Sequence, residues 1–454
     1  MMEKLKAVHS FPETFLWGTA TSSYQVEGGI SNNDWAQWEQ EPGRIHQGQR
    51  AGLACDWWNG RWRQDLEWAA EAGQNSHRLS LEWSRLEPEA GTWDEEAVNT
   101  YREILTGIRS LGMTPMVTLH HFTNPAWIMA KGDWRDEGAV EHFERYTKRV
   151  LDSFGDLVAL WVTINEPNVY AYSAYADGVF PPGEKDLRSA LRVMINLIKA
   201  HARAYRLIHQ HQPHAQVGIA HHYRSFKPAP AFHPLNRLVA SLRSSIFNST
   251  IPEACATGVV RLPWRRLEVM EAENTQDFFG LNYYTREHTV FDPRAVNQLF
   301  GRSYLPPSVE LSPTKFIANE PEGFWEALRW AHGFGLPIYV TENGVEDDAD
   351  SMRPRYIVQH LRKLWKAVNF NWQVKGYFYW SLVDNFEWER GWSQRFGLWR
   401  LDPETQERVK RPSADLYAAV CRQRALTSDL VAQYTPELMP LIFPPSRPGE
   451  LPDL

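Results

Sequence analysis

Short apolar runs alternate with longer amphipathic stretches along this chain. The runs cover residues 15–20, 76–81, 115–120, 160–165, 217–221, 278–282, 337–341 and 376–381. Each has the length of a strand buried on both faces in a parallel sheet. Helical patterns fill the gaps. Residues 61–72 set Trp62, Leu66 and Ala69 at helical spacing, and Gly73 follows as a stop signal. The stretch 98–111 ends at Gly112 and the stretch 139–154 at Gly155, and 187–210, 324–333 and 355–369 complete the set. Eight strands with helices between them predict an α/β fold, a single (β/α)8 TIM barrel. A doubly wound open sheet is the rival, but no G-x-G-x-x-G phosphate loop follows any run.

The connections at 28–58 and 223–276 are long, so the barrel should carry long βα loops that build the rim of a site. The second holds Pro228, Pro230 and Pro234 and then a predicted helix over 236–247. After Thr427 the chain is rich in proline (Pro436, Pro440, Pro444, Pro445, Pro448, Pro452). It reads as a tail lying extended on the barrel or frayed. The expected organisation is one catalytic barrel domain over residues 1–454, with its core at 11–425 and the tail at 428–454.

Composition narrows the class. The chain has 454 residues, 43% of them hydrophobic, enough for a large core. A net charge of −7 gives no footprint for nucleic acid or an anionic membrane surface. No apolar run is long enough for a membrane-spanning helix, and residues 1–15 show no secretory h-region. Cys55, Cys255 and Cys421 are far apart and odd in number, which argues against a disulfide framework or a zinc site and favours a cytoplasmic location. His201, His209 and His211 read as surface residues of a polar helix rather than metal ligands, and no H-E-x-x-H occurs.

The chemistry lies in two glutamates. Trp161-Val162-Thr163-Ile164-Asn165-Glu166-Pro167 places Glu166 just past a strand end, and Ile338-Tyr339-Val340-Thr341-Glu342-Asn343-Gly344 places Glu342 similarly. Strand C-termini converge on the active-site face of a barrel. Two carboxylates meeting there are what glycoside hydrolysis requires, one to protonate the leaving oxygen and one to attack the anomeric carbon or activate water.

Five ordered motifs add a resemblance. Residues 15–28 (FLWGTATSSYQVEG), T-I-N-E-P at 163–167, N-Y-Y at 282–284, T-E-N-G at 341–344 and W-S-L-V-D-N-F-E-W at 380–388 resemble the signatures of glycoside hydrolase family one, the β-glucosidase family. The resemblance implies a retaining β-glycosidase that hydrolyses terminal non-reducing β-D-glycosyl residues by double displacement, with no cofactor and no metal. It implies Glu166 as acid/base and Glu342 as nucleophile. Gln25, His121, Asn165, Glu387 and Trp388 would hold the sugar, with Trp380 as stacking platform, and Phe396 would join the substrate-binding set. Tyr284 and Arg78 would support the nucleophile, and Asn282 would complete the polar network. The implied partner is a small or oligosaccharide β-glycoside, with β-galactosides and β-fucosides also accepted.

Physical reasoning adds two expectations. Arg78 should keep Glu342 ionised, and the surroundings of Glu166 should raise its pKa so that it can act as an acid. There are also two departures from the family pattern. His121-Phe122-Thr123-Asn124-Pro125 stands where H-W-D-L-P is common, and Glu82 is an extra carboxyl expected to be structural. The alternatives are a 6-phospho-β-glycosidase and a non-catalytic sugar-binding barrel. The loop at 391–397 offers Arg395 as its only cation and lacks a Lys and Tyr clamp, and both glutamates are present, so neither alternative is favoured.

Overall fold

The computed structural model describes residues 7–444. Eight parallel strands close a barrel: β1 (Leu16–Ala20), β2 (Ser76–Ser80), β3 (Thr114–His120), β4 (Leu160–Asn165), β5 (Gln216–His222), β6 (Phe278–Asn282), β7 (Ile338–Asn343) and β8 (Val374–Trp380). Each strand pairs with its neighbour in sequence, and β8 returns to β1 with Tyr377 opposite Trp17. Every apolar run read from the sequence is one of these strands.

Helices wrap the outside. They are α1 (Trp62–Glu71), α2 (Glu95–Ser110), α3 (Gly138–Phe154), α4 (Leu187–His211), α5 (Pro234–Ser244), α6 (Thr250–Thr257), α7 (Pro321–His332), α8 (Arg353–Asn369) and α9 (Pro412–Gln423). The local causes are ordinary. Helix α2 begins where the Asp94 side chain accepts from the backbone N–H of Glu96 and Ala97, and it buries Val98, Tyr101, Leu105 and Ile108 at helical spacing.

The barrel lumen is filled by Met116, Val162, Phe278 and Phe378. Gly18 and Gly218 permit this. A Cβ on Gly18 would fall 2.8 Å from the Phe378 ring, and one on Gly218 would fall 2.7 Å from the Phe278 ring.

Two expectations change. The proline-rich segment is helical where it is described, at Ser428–Tyr434 and Met439–Ile442, because Leu430, Val431 and Ile442 bury an apolar stripe against the barrel's outer core. Pro445, Pro448 and Pro452 lie outside the described residues. His201 is not on the surface but fully buried, with its ring bonded to the Thr163 hydroxyl (2.7 Å) and the Thr275 carbonyl (2.8 Å). Cys55, Cys255 and Cys421 are free and buried. Among the described residues no helix is long and apolar enough to cross a membrane, and no group of three or more His, Cys, Asp or Glu could hold a metal ion.

Candidate active site

The C-terminal ends of the strands surround a cavity of 410 Å³. Both glutamates line it, and in both cases the backbone departs from regular strand geometry to aim them. Glu166 has left-handed dihedrals (φ 44°, ψ 55°), held by its N–H on the Ala220 carbonyl and by Pro167 at the start of the helix Pro167–Tyr172. Such a conformation costs roughly 1–3 kcal/mol for a non-glycine residue. Around Glu342 the pairing register of β7 shifts against both β6 and β8. Irregularities of this kind re-aim side chains beside active sites.

Three side chains join the carboxylates. Arg78 on β2 donates to Glu342 Oε1 at 2.6 Å and to Asn165 Oδ1 at 2.7 Å. Asn282 on β6 donates to the same Asn165 oxygen at 3.2 Å and to Glu166 Oε1 at 2.8 Å. Tyr284 donates its hydroxyl to Glu342 Oε2 at 2.6 Å. Arg78 and Glu342 are both almost fully buried, so Arg78 is an ion-pair partner of Glu342 and not a surface cation.

The sugar-binding candidates divide in two. His121, Asn165, Trp380, Glu387, Trp388 and Phe396 line the cavity. The Asn165 amide donates to Nε2 of His121 at 3.1 Å, which leaves Nδ1 as the protonated nitrogen, buried and without a partner. That orphan donor suits a sugar hydroxyl. Burial, helped by the Arg78 charge, lowers the His121 pKa and keeps the ring neutral. Trp388 is fixed by Trp35 (ring centroids 4.7 Å apart) and by Phe122 (5.2 Å), so the Phe at 122 serves as packing behind it. Gln25, by contrast, is fully buried, and its amide is spent on the Asn385 side chain and the Phe386 carbonyl. It stands behind Glu387.

Trp380 donates its indole N–H to Glu387 at 3.0 Å, yet burial raises the Glu387 carboxyl well above its ordinary value. The shift is toward the neutral acid, a form that can donate as well as accept. Arg395 turns away, toward the Leu401 carbonyl. Besides Arg78 behind Glu342, the arginines that line this cavity are Arg224, Arg243 and Arg390. Glu82 is buried and accepts from Ser23, Ser84 and Thr123, a structural role. The loop 223–276 does reach the rim. The loop 28–58 only supports it from behind, with Trp35 against Trp388 and the Gln49 side chain accepting from the Trp392 N–H.

The sequence reading missed one residue. His222, at the end of β5, places Nδ1 2.8 Å from Glu166 Oε1 and lines the cavity. Its neighbour His221 faces the other way, bonded to Gln276. The signal was a His doublet at a strand end, where alternation sends one ring inward.

His222 also overturns the expected pKa order. Burial pushes Glu166 up, but the charge and hydrogen bond of His222, with Asn282 and Arg78, outweigh it and bring Glu166 below its ordinary value. Burial pushes Glu342 up to about 7, opposed by Arg78 and assisted by the Glu166 charge. Two arrangements of equal net charge are open to the set. In one, both carboxylates, Arg78 and His222 are ionised. In the other, the proton has crossed the 2.8 Å contact, leaving Glu166 a neutral acid and His222 a neutral ring. The second removes the Glu166 charge that raises Glu342, so it favours an ionised Glu342 beside a protonated Glu166.

An eight-stranded barrel with two carboxylates at its C-terminal face among aromatic rings has the parts that glycoside hydrolysis requires. The chain belongs to glycosyl hydrolase family 1, whose family model matches residues 7–426. It is 33% identical over 449 residues to beta-glucosidase A of Thermotoga maritima, covering 92% of this chain and 99% of that one. It is 31% identical to the human cytosolic beta-glucosidase over 93% of this chain and all of the other. Among solved structures, a beta-glycosidase from Pyrococcus horikoshii superposes with a TM-score of 0.88 at 36% identity, covering 94% of this chain and 98% of that one. The Thermotoga maritima beta-glucosidase in complex with glucoimidazole gives a TM-score of 0.87 at 31% identity, covering 92% of this chain and 100% of that one.

Proposed function

We propose that this protein is a retaining β-glycosidase of the β-glucosidase type, acting in the cytoplasm as one catalytic barrel domain on neutral terminal β-D-glycosyl residues. The observation that carries the reading is the asymmetry of the two carboxylates. Glu342 sits between a guanidinium and a phenol, while Glu166 sits against an imidazole that can exchange a proton with it.

In the first step Glu342 attacks the anomeric carbon. The bond to the leaving oxygen breaks, and that oxygen takes the proton of Glu166. In the second step water attacks the same carbon, Glu166 takes the water's proton, and the bond to Glu342 breaks. Esterification of Glu342 removes a negative charge near Glu166 and lowers its pKa, which suits it to its turn as a base. The retaining pathway needs carboxyl groups about 5–5.5 Å apart.

The sugar would lie against Trp380, with its hydroxyls on His121 Nδ1, Asn165, Glu387 and Trp388. β-Galactosides and β-fucosides fall within the same class. A 2-deoxy-2-fluoro β-glucoside should inactivate the protein and leave its label on Glu342. Glu166→Ala should keep substantial activity on substrates with good leaving groups and lose it on poor ones, whereas Glu342→Ala should lose both. Label on any other residue would remove the assignment.

A further inference from the structure

The chain turns sharply where β3 ends, and the turn carries two side chains that shape the sugar site. His121 lines the cavity, and Phe122 packs behind Trp388. The backbone there is left-handed: Phe122, almost fully buried, has φ 71°. A residue with a side chain keeps such a conformation only where its surroundings hold it.

What holds it is Asn124, which is fully buried. Its amide donates to the Phe122 carbonyl (3.2 Å), to the Tyr170 hydroxyl (2.9 Å) and to Asp34 Oδ2 (2.7 Å). Its Oδ1 accepts from Trp134 Nε1 at 2.7 Å and lies 3.0 Å from His120 Nε2. The link to Asp34 runs both ways. The Asn124 N–H donates to Asp34 Oδ1 (2.9 Å), and the Asp34 N–H donates to the Asn124 carbonyl (3.0 Å). Burial pushes the Asp34 carboxyl up to about 7, and the Asn124 side chain and N–H are the chief groups opposing that rise. Asp34 opens the short helix Asp34–Trp38, whose next residue, Trp35, packs on Trp388 with ring centroids 4.7 Å apart. One buried pair therefore ties together the two segments whose rings hold Trp388, and it also sets the turn that aims His121. Neither Asp34 nor Asn124 lines the cavity.

We propose that Asn124, locked to Asp34, is a positioning residue for the sugar, acting through His121 and Trp388 without touching substrate. The proposal rests on the reading of the site given above. A lock that served stability alone would lower the melting temperature and leave the folded protein's kinetics untouched.

The test is a mutant cycle on kcat/KM of the full chain with 4-nitrophenyl β-D-glucoside, per folded molecule at 25 °C. Asn124→Ala should lose about tenfold, the upper end of what one neutral hydrogen bond is worth. In a His121→Ala background the same substitution should cost about threefold or less, because a group that it positions is gone. Asp34→Asn alone sets two amide donors face to face and should also lose about tenfold. The exchange Asp34→Asn/Asn124→Asp restores the side-chain bond with donor and acceptor reversed, and it keeps an acceptor for Trp134 and His120. It should return to within about threefold of the parent. If Asn124→Ala does not fold, Asn124→Asp, of the same shape, takes its place in the cycle. An equal loss in both backgrounds would make the lock a stability device and overturn the proposal. Full activity in Asn124→Ala, or an exchange variant no better than Asp34→Asn, would overturn it too, with the catalytic pair unaffected. An inactive parent chain would overturn the catalytic reading itself.

Discussion

Which partner holds the proton in the His222–Glu166 contact decides what Glu166 can do. The proton leaves the pair as a whole, and the imidazole offers it a second place to reside. The alkaline limb of the pH–rate profile therefore lies higher than Glu166 alone would put it. His222→Gln should move that limb to lower pH and leave the acid limb, set by Glu342, nearly in place. An alkaline limb that stayed put or moved up would show that the ring takes no part. Glu166, Glu342 and Tyr284 stand out in the sequence because each falls in a contiguous motif, whereas Arg78 lies outside all five. His222 does not stand out, because its role depends on register: it stands opposite Asn282 on the neighbouring strand, and both side chains reach the same oxygen of Glu166. No property of residues 221–222 taken alone specifies that meeting. The pKa order was misread for the same reason, since the partner that lowers Glu166 comes from β5, 56 residues away in sequence.

The strands and outer helices were readable because each carries a single dominant pattern. Strands covered on both faces are continuously apolar, and helices that lean on them show a stripe and end at glycine. The features that aim the site were not readable. The register shifts at Glu342 and the left-handed backbone at Glu166 arise from closing eight strands into one barrel, and no local composition marks them. The short hairpin that carries Trp264 and the strand pair Arg286–Phe291/Gly301–Tyr304 were missed because four to six residues give too little periodicity to score. Helix α2 tests how far such elements act independently of the site. Removing its cap with Asp94→Ala should cost about 1 kcal/mol, read as a lower midpoint in urea with an unchanged slope. Activity at 25 °C should stay at the parent value, because the cap bonds only to the Glu96 and Ala97 N–H groups. A loss of kcat/KM without a loss of stability would mean that α2 communicates with the cavity.

On the scale of the whole molecule, the two ends of the described chain meet at the face of the barrel opposite the cavity. Val8–Ser10 pairs antiparallel with Ala425–Thr427, and the helices after Thr427 close over that pair. Leu430, Val431 and Ile442 join the apolar cluster that contains Phe11, Tyr417 and Leu426. His9 stacks on Trp365 (3.8 Å) and Phe443 (4.4 Å) and bonds the Ile442 carbonyl. The segment read as a loose tail is thus a clamp on the N-terminal strand. Burying three aliphatic side chains is worth about 1.5–3 kcal/mol each, an upper estimate because the unfolded chain already hides part of that surface. The sum is comparable with the net stability of a typical protein, roughly 5–15 kcal/mol. A chain ending at Thr427 should therefore melt about 5 °C or more below the parent. At 25 °C its kcat/KM per folded molecule should equal the parent's, because among the described residues none after 427 lines the cavity. If the shortened chain melted with the parent, the clamp would contribute nothing. If it melted lower and also lost kcat/KM at 25 °C, the two faces of the barrel would be coupled through the strands, and stability would not be separable from chemistry.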